Sequence, residues 1–128
     1  GVYMSTTFLF NEEQISYLRD LDPEEGPEIV STLIKSFITQ TPTHFETIKS
    51  AIQNKDEKKV SLLCHNLKSS SGNLGVMSFS KIAGQVEGYI LQNTGNVDFQ
   101  WIANHLTELE SQYAQAKSIL QKFVLPEA

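Results

Sequence analysis

His65 and Lys68 are the side chains whose types and spacing invite chemistry in this 128-residue chain. On a helix, an imidazole and an ammonium three residues apart lie one turn from each other on the same side. A neutral imidazole nitrogen is a nucleophile, and exposed histidines are largely neutral at pH 7 because their ordinary pKa is about 6.5. An ammonium beside the ring can hold an anionic group by a charge-assisted hydrogen bond. The pair describes a place that takes up an anion, provided the ring faces water.

The surrounding residues predict that it does. At about 100° per residue, Val60, Leu63, Cys64, Leu67, Ser71 and Leu74 fall within an arc of roughly 100°, a stripe fit for a core. His65 lies about 150° from the centre of that stripe. Ser69, one turn beyond His65, adds only a hydroxyl and leaves the ring open to a large partner. Leu62 is an apolar residue stranded on the outward face, and with Lys58, Ser61 and Gly72 it forms a candidate docking surface. Most exposed histidines are plain solvated surface, so this spacing alone does not demand a reaction.

The longer pattern is more specific. His65-x-Leu67-Lys68-Ser69-Ser70-Ser71-x-x-Leu74-Gly75, followed by Phe79, Ala83, Val86 and Glu87, resembles the signature of histidine-containing phosphotransfer domains of multistep two-component signalling. The resemblance implies that His65 is phosphorylated, that Lys68 sits by the phosphoryl group and that Glu87 reaches toward the histidine from the next helix. Glu87 is then expected to orient the ring by accepting from its non-reacting N–H, with Gln85 as the fallback if the helix phase differs. The family's usual glycine after the lysine is Ser69 here, whose hydroxyl can contact the phosphoryl group or crowd the partner slightly.

The implied activity is that of a phosphorelay intermediate. It accepts a phosphoryl group from a receiver's aspartyl phosphate and passes it to another receiver aspartate, or back. The implied partners are response-regulator receiver domains and a hybrid sensor histidine kinase, with Mg2+ on the receiver and no cofactor of the chain's own. A second reading is an interaction module that binds a receiver without carrying phosphate, with Ser69 as the lesion.

Composition narrows the field. A chain of this length with 40% hydrophobic and 20% charged residues forms one globular domain. A net charge of −5 argues against nucleic acid. Residues 55–81 nevertheless carry five lysines against two acidic residues, a local basic face suited to a partner with an acidic pocket. The absence of a membrane-length apolar run or an export signal makes the cytoplasm the expected compartment, and a monomer is the expected state. The single cysteine, Cys64, falls on the core stripe and is expected to be a buried hydrophobe. His44 and His105 lack the lysine and small residues that surround His65 and are expected to be structural or surface residues. No Glu precedes any histidine by three residues, and neither a phosphate-binding Gly-Lys loop nor Cys-x-x-Cys is present, which leaves no di-metal or nucleotide site.

Helical periodicity predicts an all-α fold: an antiparallel four-helix bundle with a short additional N-terminal helix. Residues 1–10 read as an extended leader, with the origin of 1–3 left open, and 11–128 as the bundle domain. Asn11 with Gln14 predicts a capping box, with Phe10 stapled to Ile15, for a helix to about Leu21 that buries Ile15 and Leu18. A long helix to about Asn54 carries Val30, Leu33, Ile34, Phe37, Ile38, Phe45, Ile48 and Ile52. Pro42 is expected to kink it or, alternatively, to split it. Asp56 caps the His65 helix; Gly72, Asn73 and Gly75 end it. Two more helices, about 76–93 and 98–124, complete the bundle, the last capped by Asp98.

Overall fold

The computed structural model describes residues 6–127. The expectation for residues 1–5, including the origin of 1–3, and the end of the domain at residue 128 lie outside the described residues. Five α-helices follow one another: α1 (Glu12–Asp20), α2 (Gly26–Gln53), α3 (Glu57–Asn73), α4 (Met77–Gln92) and α5 (Phe99–Leu120), which tightens into a 3-10 turn at Gln121–Phe123. Helices α2 to α5 form a ring in which each packs on the next and α5 returns to α2, while α1 lies against α2. The four-helix bundle with an extra N-terminal helix is therefore the architecture.

The core is the sum of the apolar stripes. Val30, Ile34, Phe37, Phe45 and Ile48 of α2 meet Val60, Cys64, Leu67 and Leu74 around α3, together with Phe79, Ile82, Ala83, Val86 and Ile90 of α4. Ile102, Leu106, Leu109, Ala116 and Leu120 close it from α5. Leu33, expected on the apolar stripe of α2, is exposed instead.

Several details depart from the sequence reading because distant backbone supplies what neighbours were expected to supply. The Asn11 side chain caps α1 by accepting from Glu13 N, but Gln14 does not close a capping box: its amide donates to Asn73 O at 3.2 Å. Phe10 packs against Phe123, with ring centroids 6.0 Å apart, as well as bordering the core. Residues 6–10 belong to the fold rather than leading into it. Leu9 O accepts from Met77 N and Ser78 N at the start of α4, which has no side-chain cap. Leu9 N donates to Ser78 Oγ, whose hydroxyl donates to the buried Gln112 Oε1, and Gln112 Nε2 donates to Thr6 O.

Pro42 does not split α2, which runs unbroken from Gly26 to Gln53. A proline removes the N–H that would bond the carbonyl four residues back, here that of Ile38. Tyr113 of α5 repairs the loss by donating its hydroxyl to Ile38 O at 2.6 Å, and burial pushes the Tyr113 phenol pKa up. Tyr113→Phe is expected to strand that carbonyl and lower stability by about 1–2 kcal/mol, read by chemical denaturation.

Candidate functional site

Helix α3 is anchored at both ends. Asp56 caps it by accepting from Lys59 N. At the far end Val76 N donates to Ser71 O and Gly75 N to Gly72 O, with Gly75 at φ 79°, the bond pair of a Schellman motif. Gly75 is thus the stop, while Gly72 and Asn73 stay helical. With Val60, Cys64, Leu67 and Ser71 buried, His65 faces outward, its side chain 54% exposed. The core stripe fixes this direction.

Helix α4 brings Glu87 to the ring. Its Oε2 lies 2.7 Å from His65 Nδ1, and because a carboxylate only accepts, the hydrogen stands on Nδ1. Nε2 is then the nitrogen that carries the lone pair. Glu87 Oε1 lies 3.8 Å from Lys68 Nζ, so one carboxylate bridges ring and ammonium. Glu87 is largely shielded, whereas Lys68 is half exposed. The same carboxylate acts inward on Cys64: burial pushes that thiol up to about 12, with the Glu87 charge adding to it, so Cys64 is a neutral core side chain.

A hollow of about 380 Å³ opens beside the ring, lined by Glu57, Lys58, Ser61, Leu62, His65, Glu87, Ile90, Leu91 and Thr94. Leu62 and Leu91 stand exposed on its two sides, one from each helix. Glu57 borders it and also accepts from Gly95 N, tying the α4–α5 turn to the start of α3.

The structure thus gathers His65, Lys68, Glu87, Leu62, Lys58 and Ser61 on one face. Ser69 is exposed on the same helix and makes no side-chain hydrogen bond among the described residues. Two candidates are elsewhere. Gln85 points into a separate hollow with Tyr89, Trp101 and His105, because it precedes Glu87 by two residues and so lies on nearly the opposite side of α4. Gly72 faces α4, where an added Cβ would stand 3.1 Å from Ser80 Oγ, so it is a helix-packing position rather than open docking surface. His105 stacks on Trp101 with its Nδ1 2.8 Å from Trp101 O. His44, on α2, borders a hollow shared with α3, its Nδ1 buried without a partner among the described residues.

Leu91, Ile90 and Thr94 were missed by sequence reasoning. An exposed leucine at the polar end of α4 was the only signal, and its meaning depends on α3 lying alongside. Among the described residues, no cluster of three or more His, Cys, Asp or Glu could hold a metal ion, and no helix is long and apolar enough to cross a membrane.

A helical bundle that carries a single outward histidine, bonded by a carboxylate from the neighbouring helix, defines a histidine-containing phosphotransfer domain. The profile of the Hpt domain family matches residues 32–119, and the chain belongs to that family, whose members are phosphotransfer carriers rather than kinases. The chain is 27% identical over 81 residues to Multistep phosphorelay regulator 1 of Schizosaccharomyces pombe (strain 972 / ATCC 24843). That match covers 63% of this chain but spans only 28% of the relative's length. In three dimensions the chain is similar to histidine-containing phosphotransfer protein B (HptB) from Pseudomonas aeruginosa PAO1, with a TM-score of 0.74 and 15% identity over 88% of this chain and 91% of that one. The Hpt domain of a sensor hybrid histidine kinase from Shewanella follows at a TM-score of 0.63 and 20% identity, covering 88% of this chain and 94% of that one. At these identities the two structures speak for the fold.

Proposed function

We propose that His65 is the residue that carries the phosphoryl group, taking it from the aspartyl phosphate of a receiver domain and giving it to another receiver, or back. The observation that carries this reading is the 2.7 Å contact between His65 Nδ1 and Glu87, which leaves Nε2 as the exposed nucleophile. In the transfer, Nε2 attacks phosphorus, the P–N bond forms as the P–O bond to the receiver aspartate breaks, and the aspartate leaves as a carboxylate. The ring becomes positive while Nδ1–H keeps Glu87 as acceptor, which offsets that charge. Lys68 compensates the phosphoryl oxygens, and Ser69 can donate a further hydrogen bond. The chain needs no nucleotide or metal of its own for this step; Mg2+ belongs to the receiver, and a hybrid sensor kinase is the upstream source. Positioning and charge carry phosphoryl transfer, so a rigid bundle suffices.

The test is incubation of the purified protein with a phosphorylated receiver. Acid-labile, base-stable label on the protein is expected; stable binding without label would favour an interaction module instead. Docking is assigned to the hollow. Leu62→Asp and Leu91→Asp are each expected to slow transfer about tenfold or more by placing a carboxylate in an apolar contact, while the melting temperature stays within a few degrees. Wild-type transfer rates in both variants would contradict this docking face.

A further inference from the structure

Gly84 lies in the middle of α4, where glycine is a poorer helix residue than alanine and therefore asks for a reason. Gly88, one turn later, has no steric one: nothing lies within 4 Å of where its Cβ would stand. At Gly84 the three nearest atoms all belong to one side chain. An added Cβ would stand 3.2 Å from Lys68 Cδ, 3.6 Å from Cε and 3.8 Å from Cγ. The Lys68 stem therefore crosses α4 over bare backbone and delivers its ammonium 3.8 Å from Glu87, one turn further along. Ser80, one turn earlier, donates its hydroxyl to Lys68 O at 2.8 Å, which fixes where the lysine's own backbone stands against α4.

We propose that Gly84 is a positioning residue for Lys68: by carrying no side chain it forms the seat that holds the ammonium beside Glu87 and His65. This rests on the reading of His65 as the phosphoryl acceptor and Lys68 as its cation. A half-exposed lysine has many rotamers open to it in water. The groove over Gly84 favours the one that faces the site. A glycine kept only to let α3 and α4 approach would meet backbone first, whereas the three atoms nearest this one all belong to the lysine stem.

The experiment compares Gly84→Ala, Gly84→Val and Gly88→Ala, each also in a Lys68→Ala background. All three single variants are expected to be at least as stable as the wild type to denaturant, since each improves on glycine in a helix. Transfer from a phosphorylated receiver is expected to slow about threefold in Gly84→Ala and roughly tenfold in Gly84→Val, short of the ~100-fold that a full 1 Å misplacement can cost. Gly88→Ala is expected to match the wild type. In the Lys68→Ala background the Gly84 substitutions are expected to add nothing, as for two residues acting through one interaction. A crystal structure of Gly84→Val should show the Lys68–Glu87 separation beyond the ~4 Å of an ion pair.

An unchanged Lys68–Glu87 contact in that structure overturns the seat whatever the transfer rates. So does a Gly84→Val loss that persists without Lys68. Failure of the wild type to take label at all instead overturns the reading of His65.

Discussion

A His65→Gln protein is expected to fold, to bind its receiver, and to take no phosphoryl label. The glutamine amide nitrogen has its lone pair delocalised into the carbonyl and is no nucleophile toward phosphorus, so the loss is complete rather than graded. The side chain at this position is 54% exposed, so its replacement removes little packing and stability should stay within about 0.5 kcal/mol. The walls of the neighbouring hollow, Leu62 and Leu91, are untouched, and binding to the receiver should fall by less than tenfold. That separation of binding from labelling is what a carrier histidine requires. Label retained at the wild-type level would place the acceptor on another residue and remove the role assigned to Glu87.

Gly75→Ala is expected to damage the fold although it adds only one methyl group. At φ 79° an L-residue is strained by about 1–2 kcal/mol. The added Cβ would also stand 2.3 Å from Asn11 O, a backbone atom that cannot rotate away. Relief would move the segment that bonds Asn11 N to Gly75 O and Leu9 O to the first N–H groups of α4. A loss of roughly 3 kcal/mol, or about 10 °C in melting temperature, is expected. Because this junction sets how α4 approaches α3, phosphotransfer by the folded fraction should also slow. Chemical denaturation reads the first effect, and a change below about 1 kcal/mol would contradict the account of the junction. Gly72 provides the contrast: its added Cβ would meet only the Ser80 side chain, which can turn.

Those two glycines also mark the limit of what the sequence discloses. The core stripes, the Asp56 and Asp98 caps and the outward direction of His65 follow from periodicity and capping chemistry, which are local. Gln14 was read as a local cap because nothing in its neighbourhood points to Asn73, 59 residues away. Pro42 was read as a kink or a split because the hydroxyl that takes up the carbonyl it frees arrives from α5, and the split does not occur. The same holds within the site. A stripe on α3 tells which way the ring points, but only the packing of α3 on α4 brings Glu87 and Leu91 to it and turns Gln85 away. Gly72 was placed on a docking face, yet the crossing of α4 covers it.

The proposed chemistry belongs to one nitrogen of one ring, held by Glu87 from behind. The most direct measurement is NMR on protein with 15N-labelled histidine after phosphorylation by a receiver or by phosphoramidate. Phosphorus bonded to Nε2 of His65 with Nδ1 still protonated is expected, and the same spectrum without phosphohistidine in His65→Gln. Phosphorus on Nδ1 of His65, or on His44 or His105, would contradict it.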